Sequence, residues 1–375
     1  DQRRLPALEV PREAALRRIG SRARRDRRRG ARSAGSGHGG GILPRIDGAR
    51  PGNGPALPAC PRAATNPPPP ARSPMPAPAL THLKQLEAES IHILREVVAE
   101  FENPVMLYSI GKDSAVMLHL AMKAAAPGKL PVPIVHIDTG HNFPEVIAFR
   151  EHMVRKHELN LIVGHLDDSI AKGTIRLAHP LESRNPYQTI TLLETIEANR
   201  FDAMVGGARR DEEKARAKER VFSHRDSFGQ WQPRAQRPEL WNLYNTRIAQ
   251  GEHFRVFPIS NWTELDVWNY IARENIELPS IYYTHQREVI ERNGLLVPVT
   301  DITPPRAGET VVTRDVRFRT VGDISCTCPV ASTAATADEV ILETITATAS
   351  ERGATRMDDR ANDAAMERRK KEGYF

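Results

Sequence analysis

The chain has 375 residues, of which 40% are apolar, enough for a sizeable core in two or three domains or in one large domain with appendages. No stretch approaches the roughly 18 consecutive apolar residues of a membrane-spanning helix, which excludes an integral membrane protein. The three cysteines are too few for a disulfide scaffold and indicate a reducing compartment, for which we expect the cytoplasm.

The positive charge of the chain is confined to its N-terminal segment. The net charge is +6, but the first 78 residues contain 16 Arg, no Lys and 5 acidic residues, which leaves −5 for residues 79–375. A basic, nucleic-acid-binding body is therefore not supported, and we expect neither nucleic acid nor a membrane among the partners.

Residues 1–74 are rich in Arg, Pro and Gly and cannot bury enough apolar surface to offset the chain entropy, so we predict that they are disordered. An organelle transit peptide and a nucleic-acid-binding arm are two explanations of such a composition. We favour a third explanation, that these residues are translated upstream sequence and not part of the working protein. Abundant Arg without Lys is not typical of a segment under selection. The composition becomes ordinary at Met75, which we take as the working start.

The remaining chain alternates between helix and strand patterns. The spacing of apolar residues predicts, in chain order, a helix over 80–101, a strand over 105–108, a helix over 114–123, a strand over 134–137, a helix from Pro144, a strand over 161–166, a helix over 188–199, strands over 203–205 and 254–259, and a helix capped by Thr263 that ends at Glu274. This alternation predicts an α/β fold, a parallel sheet with helices on both faces, followed by an irregular C-terminal extension.

Polar, Gly-containing clusters follow three of these strands, at residues 109–114, 138–140 and 206–213. In parallel sheets the carboxyl ends of the strands meet at one edge, and ligands bind there near the point where the strand order reverses. The sequence therefore predicts a ligand site built from these three clusters.

Residues 109–114 (SIGKDS), which we call the phosphate loop, stand between the first strand and its helix. Small residues and a helix N-terminus favour an anion, Lys112 adds a charge, and Ser109 and Ser114 add hydroxyl donors. The loop differs from a Walker A loop, because Asp113 follows the lysine and Met106 stands where the first glycine would be. The alternative is a surface turn that Asp113 and Ser114 cap.

The cluster at 206–220 places two glycines, Gly206 and Gly207, and two adjacent arginines directly after a strand. The forked guanidinium suits tetrahedral oxyanions, so Arg209 and Arg210 are candidates for sulfate or phosphate binding, and Arg216 is a further one. The alternative is a solvated helix face with internal ion pairs.

The phosphate loop resembles the pyrophosphate-binding loop of the ATP pyrophosphatases, usually SGGKDS, with Ile110 in place of the second-position glycine. Longer segments resemble the small, catalytic subunits of bacterial sulfate adenylyltransferases. These segments are residues 108–120, 206–220, 236–245, 255–271, 316–323, 350–353 and 370–375.

This resemblance implies an adenine nucleotide alpha hydrolase-like fold and the reaction of ATP with sulfate to give adenylyl sulfate and pyrophosphate, a step of sulfur assimilation. It implies that Lys112, Arg209 and Arg210 are catalytic, and that Mg²⁺ accompanies ATP with Asp113 as a ligand or as a brace of the loop. Sulfate is already ionised, so we assign no general base and no catalytic histidine. The residues implied for ATP are Ser109, Gly111, Lys112, Asp113, Ser114, Asp138, Thr139, Gly206 and Gly207, and those for sulfate are Arg209, Arg210 and Arg216.

In that family a GTP-hydrolysing large subunit drives the uphill reaction. The present sequence contains no G-x-x-x-x-G-K-[ST] motif, so we expect the GTPase to be a separate polypeptide, in a heterodimer or a larger complex. The resemblance places an ATP-pyrophosphatase-type catalytic domain over 75–300 and an extension that is a candidate partner contact over 301–375.

Three rival functions share features of this sequence. A phosphoadenylylsulfate or adenylylsulfate reductase would need a nucleophilic cysteine in a Glu-Cys-Gly-Leu-His setting, whereas Cys326 and Cys328 stand in a different context. A tRNA thiolase of the same fold would usually have a basic body. A non-catalytic nucleotide-binding scaffold would leave Lys112 and Asp113 free to drift, yet both are present.

Overall fold

The structure, a computed structural model, describes residues 81–212, 216–236 and 238–347 together with Thr355. The predictions for residues 1–74, for a start at Met75 and for the motifs at 350–353 and 370–375 lie outside the described residues. The domain division at residue 300 stays a prediction.

The larger sheet has six strands in the order β3-β2-β1-β4-β6-β5, and its neighbouring strands are parallel except for β5, which is antiparallel to β6. This confirms the predicted α/β fold. The strands are β1 Pro104–Leu107, β2 Ile134–Asp138, β3 Leu161–His165, β4 Ala203–Val205, β5 Phe222–Arg225 and β6 His253–Val256, and the helices are α1 His82–Glu100, α2 Lys112–Ala125, α3 Pro144–His157, α4 Leu166–Ala171, α5 Gln188–Asn199 and α6 Glu264–Glu274.

Apolar side chains cover both faces of this sheet, because successive residues of a strand point to opposite faces. On one face Val105, Val135 and Met204 pack with residues of α5 such as Leu192. On the other face the next residues along the strands, such as Met106, join the main core with side chains from α1, α2 and α6. Burial on both faces explains why the strands read as short apolar runs in the sequence.

The helix ends follow the predicted signals. Thr263 caps α6, where its hydroxyl accepts the Asp266 backbone N–H at 3.1 Å and the Asp266 carboxylate accepts the Thr263 N–H at 2.9 Å. Pro144 is the first residue of α3, a position at which the missing N–H costs nothing. Both signals were confirmed.

A second, four-stranded antiparallel sheet follows in the order β10-β9-β7-β8. The extension over 301–375, predicted to be irregular, is therefore partly regular, because it contains two of these strands and a helix. The Asn293-Gly294 turn, with positive φ at both residues, joins β7 and β8 as a hairpin. The elements are β7 His285–Arg292, β8 Leu295–Pro298, β9 Val312–Arg317, β10 Val330–Ala331 and the helix α7 Ala337–Thr346.

Side chains cover the outer side of the edge strand β5 at its start, and the backbone of the segment that follows pairs with its end, where the Gln232 N–H donates to the His224 carbonyl at 3.1 Å. The Glu239 carboxylate accepts the backbone N–H groups of Val221 and Phe222, each at 2.8 Å, and Gln236 Nε2 donates to the Phe222 carbonyl. The ring of Tyr244 stacks on that of Phe222 with centroids 4.5 Å apart. The segment after β5 thus folds back and satisfies the edge.

None of the helices in the described part of the chain has the length and apolar character that crossing a bilayer requires.

Candidate active site

A cavity of about 180 Å³ opens where the strand order reverses. The chain passes from β1 to β2 and β3 on one side, and then places β4 on the other side of β1, so β1 and β4 flank the switch point. Ligands of open parallel sheets bind in this crevice. The lining residues lie in β1 and β2, in the loops after β1, β2 and β4, around the start of α5, or in the C-terminal part of the chain.

The phosphate loop turns sharply between β1 and α2. Ile110 has a φ of 65° and is fully buried, and α2 begins at Lys112. The Ser114 hydroxyl donates to the Gly111 carbonyl at 2.9 Å, and the Ser109 hydroxyl donates to that of Ser114 at 3.3 Å. These bonds hold the loop around the helix N-terminus, where backbone N–H groups lack intrahelical partners.

Gly207 lets the chain after β4 pass close to this helix N-terminus. A Cβ atom at Gly207 would lie 3.3 Å from the Asp113 Cβ and 3.4 Å from the Ser114 backbone nitrogen. Any larger residue would push the two segments apart, so the glycine keeps both loops at one site.

Asp113 is held by two cations. Arg209 Nε donates to Oδ1 at 2.6 Å, and Lys112 Nζ donates to Oδ2 at 3.3 Å. Burial raises the pKa of Asp113, but the charges of Arg209 and Lys112 outweigh it and hold the pKa at about 2. The carboxylate therefore stays ionised and ties the second cluster to the phosphate loop.

Lys112 lies behind the loop, under the C-terminal part of the chain. Its side chain is 0% exposed, its backbone N–H donates to the Tyr282 hydroxyl at 2.9 Å, and its ammonium donates to the Arg319 carbonyl at 3.3 Å. Arg319 in turn donates to the Glu264 carboxylate at 2.7 Å. A buried charge network thus underlies the phosphate loop.

The structure brings most of the predicted ATP residues to the cavity and leaves others outside it. Within the described part of the chain, the lining includes Ser109, Gly111, Asp113, Ser114, Gly206, Gly207 and Arg216, but it does not include Lys112, Asp138, Thr139, Arg209 or Arg210.

Asp138 and Thr139 brace the turn after β2. The Asp138 carboxylate accepts from the Gly140 backbone N–H and from Asn142 Nδ2, each at 2.8 Å, and the Thr139 hydroxyl accepts the His141 N–H at 3.1 Å. These two polar side chains are engaged in local turn bonds, which shape the loop beside the cavity.

The adjacent arginines have different surroundings. The Arg209 side chain is fully buried and faces Asp113 and Asp211, whereas Arg210 donates to the Asn261 side chain and to the Glu219 carbonyl. Neither guanidinium lies on the cavity surface, because acidic and carbonyl oxygens nearby hold both of them.

Arg216 is the arginine of this cluster that lines the cavity. It begins a short 3₁₀ turn, and its NH1 lies 2.9 Å from the Glu212 carboxylate. Its buried Nε has no hydrogen-bond partner among the described residues. A buried N–H donor without a partner on a cavity surface is available to an anionic ligand.

Several lining residues were not predicted from the sequence. Tyr282, Thr320 and Asp323 come from the C-terminal part of the chain, and Asn185 and Gln188 stand at the start of α5. The only sequence signal for the C-terminal group was the segment 316–323, which we noted for its resemblance and not for a position in the site.

His136 also lines the cavity, and it is neutral. Its Nδ1–H donates to the Tyr108 carbonyl at 3.0 Å, and burial lowers its pKa to about 4.

The cysteines of the described region are buried away from this cavity. Cys326 donates to the Asp323 carbonyl at 3.6 Å, and Cys328 packs with Ile290, Leu295 and Val297 of the second sheet. Neither is among the residues that line the cavity.

Comparisons with known proteins find similar sequences over most of the chain. The Phosphoadenosine phosphosulfate reductase domain family matches residues 103–329. A "Sulfate adenylyltransferase subunit 2" from Mycolicibacterium vanbaalenii is 61% identical over 296 residues, 79% of this chain and 95% of the relative. The protein of the same name from Mycobacterium tuberculosis strain H37Rv is 60% identical with the same coverage.

Among solved structures, a phosphoadenylyl-sulfate reductase from Candida auris is 16% identical and has a TM-score of 0.36 over 54% of this chain and 91% of its own. We draw nothing further from so distant a likeness. By the identity and coverage of the sequence relatives and the family match over residues 103–329, the chain belongs to the sulfate adenylyltransferase subunit 2 family and carries a phosphoadenosine phosphosulfate reductase domain.

Proposed function

We propose that the chain transfers the adenylyl group of ATP to sulfate and releases pyrophosphate, the reaction named for its relatives. The observation that carries this proposal is the cavity itself, in which a helix N-terminus with a glycine-lined loop faces Arg216 across the switch point. The helix N-terminus suits a phosphate group, and the Arg216 guanidinium suits a second oxyanion.

The phosphate loop would bind the β and γ phosphates of ATP. The N-terminus of α2 supplies backbone N–H donors, and the buried Lys112 supplies positive charge from behind the loop. The hydroxyls of Ser109 and Ser114 would add donors on exchanging their bonds within the loop for bonds to phosphate. These groups stabilise pyrophosphate as it leaves, and leaving-group charge is the largest electrostatic demand of this reaction.

Arg216 would bind sulfate beside the α phosphate. A sulfate oxygen attacks the α phosphorus, and the bond from that phosphorus to the oxygen bridging the α and β phosphates breaks. The electron pair leaves with pyrophosphate, and no proton has to move because sulfate is already ionised. Positioning of two anions and neutralisation of their charge are then the main contributions of the protein.

Arg209 and Arg210 are proposed to act through the fold of the loop. Arg209 fixes Asp113, and Arg210 fixes the turn that follows Arg216 through its bond to the Glu219 carbonyl. Loss of either would disturb the site without removing a direct ligand contact.

Mg²⁺ commonly binds phosphates with few protein ligands, and we propose that it enters with ATP as part of the substrate. Both oxygens of Asp113 are engaged by cations, which does not fit a direct metal ligand and supports the brace role instead. The described residues also contain no group of three or more His, Cys, Asp or Glu that could hold a metal ion.

The partner would be a separate GTPase subunit. The relatives are named as subunit 2, and adenylyl sulfate formation is uphill, so a second energy source is needed. The reductase alternative finds no support at the site, since the cysteines of the described region do not line the cavity.

The test is sulfate-dependent pyrophosphate release from ATP by the full chain mixed with a GTPase subunit, with and without GTP. We expect release that requires sulfate and rises with GTP. Arg216→Lys should raise the KM for sulfate about tenfold or more and leave the KM for ATP within about twofold, because the loss of a forked donor costs roughly 1.4 kcal/mol or more. Arg314→Lys, a change at an exposed arginine of β9, is the matched control.

Absence of sulfate-dependent release, while the partner still hydrolyses GTP, would overturn the proposal. Release with an unchanged KM for sulfate in Arg216→Lys would keep the reaction and remove Arg216 from the sulfate site.

A further inference from the structure

The cavity has an apolar region on the side of β1 that faces away from β4. Leu107, Val135, Ile137 and Leu192 line it, and the first three lie on the face of the sheet that α5 covers. The strand order β3-β2-β1-β4 puts β2 on one side of β1 and the Gly206-Gly207 turn on the other. The apolar region is therefore separated from the phosphate end by the width of a strand.

Two carboxamides stand beside this apolar region. Asn185 and Gln188 both line the cavity, and Gln188 is the first residue of α5, one turn before Leu192 on the same helix face. Gln188 Nε2 donates to Asn185 Oδ1 at 3.0 Å. This bond uses one of the two N–H donors of Nε2 and fixes which end of the amide faces Asn185, so that Oε1 is the end available to a ligand.

Gln188 Oε1 does not suit a phosphate, because its partial negative charge would repel the negatively charged phosphate oxygens. It does fit a flat, largely apolar ring that carries an N–H donor on its edge. Adenine has such a donor in its exocyclic amine, whereas a 6-oxopurine has an acceptor oxygen at the same position.

We propose that Gln188, oriented by Asn185, is the residue that selects adenine over 6-oxopurines at this site. The apolar residues hold the ring, and Oε1 accepts from the amine. With a 6-oxopurine two acceptor oxygens would face each other, and the amide oxygen, covered by the bound ring, would have no donor, which is the arrangement that gives strong discrimination in enzymes. This proposal rests on the proposed function, because it takes ATP as the ligand of the cavity.

The test compares ATP with inosine triphosphate, which differs only in the 6-oxo group and its ring proton. Binding of each to the full chain is measured by titration calorimetry, without sulfate and without the partner. For the wild type we expect about tenfold or more tighter binding of ATP. Gln188→Met keeps the length of the side chain and removes the acceptor, so the ratio of the two dissociation constants should fall to within about twofold.

Gln188→Glu retains an acceptor oxygen, so it should keep the preference for ATP even though its charge weakens the binding of both triphosphates. Gln85→Met, at an exposed position of α1, is the control and should leave the ratio unchanged. If Gln188 had only a structural role, Gln188→Met would weaken the binding of both nucleotides equally. The ratio of their dissociation constants would then not change.

An unchanged ratio in Gln188→Met, with a melting temperature equal to that of the wild type, would overturn the proposal. So would a wild type that binds the two triphosphates equally. Failure of the proposed function would give a different result. The chain would still bind ATP more tightly than inosine triphosphate, but it would release no pyrophosphate in response to sulfate.

Discussion

Ile110 is a buried β-branched residue in the left-handed region of backbone conformation, with a φ of 65°. L-residues other than Gly lose about 1–2 kcal/mol in this region, and branching at Cβ makes the conformation rarer. The turn requires this backbone geometry whichever residue is present, and that requirement explains why the loops it resembles have glycine at this position. Burial of the isoleucine side chain in the main core offsets the backbone cost.

Comparison of Ile110→Ala with Ile110→Gly tests this strain. Both variants lose nearly the same buried side chain, but only glycine adopts the positive φ without cost. We expect the glycine variant to be more stable than the alanine variant by about 1 kcal/mol, the reverse of their usual order in helices and strands. Urea unfolding of the two full-length variants measures the difference. Greater stability of the alanine variant would show that the turn is not strained at residue 110.

At the scale of elements, the site depends on two loops that touch at the N-terminus of α2. Gly207, after β4, approaches the backbone of Ser114 and the Cβ of Asp113. The chain segments that meet here are more than 90 residues apart in sequence, and the sheet brings them together because β1 and β4 are hydrogen-bonded neighbours.

Gly207→Ala should weaken ATP binding through this contact. The added methyl must displace the first turn of α2 or the β4 loop by a few tenths of an ångström, which misplaces the phosphate donors. We expect the KM for ATP to rise about tenfold while the stability changes by less than about 1 kcal/mol. Steady-state pyrophosphate release and urea unfolding together check this. Gly173→Ala, at an exposed glycine with open space around its Cβ position and a φ of 75°, is the activity control: its backbone strain costs stability but should leave the KM for ATP unchanged.

The elements themselves were predictable because their signals are local. The apolar run of residues 203–205, the Thr263 cap and the loop at 109–114 each depend on a few neighbouring residues. The positions of Lys112 and Arg209 outside the cavity lining were not, since both donate to the Asp113 carboxylate and Lys112 also donates to the Arg319 carbonyl. No local pattern shows which of several cations faces a cavity and which is buried behind it.

At the scale of the whole molecule, the C-terminal part of the chain completes the site. Tyr282 and Arg319 contact Lys112 across 170 and 207 positions of sequence. The Arg319 guanidinium pairs with Glu264 at the start of α6. Burial raises the pKa of Glu264, but the charges of Lys112 and Arg319 outweigh it and lower the pKa below its ordinary value. Contacts of such range depend on the finished fold, and sequence periodicity cannot reveal them.

Breaking this buried pair should destabilise the protein strongly. Glu264→Gln leaves the Arg319 charge buried without its carboxylate, and we expect a loss of about 3–5 kcal/mol in the free energy of unfolding. The double variant Glu264→Gln with Arg319→Met should recover part of that loss, because no uncompensated charge remains. Urea unfolding of the wild type, Glu264→Gln, Arg319→Met and the double variant gives a complete double-mutant cycle. Strict additivity of the two single losses would show that the pair is not coupled.

The covering of β5 by Glu239 and Gln236 also limits what the sheet can do in concentrated solution. An open strand edge is a template on which a strand of another molecule can add, and such addition starts many aggregates. Here the backbone groups of Phe222 are already bonded to side chains of their own chain. Growth of an intermolecular sheet would first have to break a charge-assisted hydrogen bond at the place where it begins, so this edge acts as a kinetic barrier to aggregation.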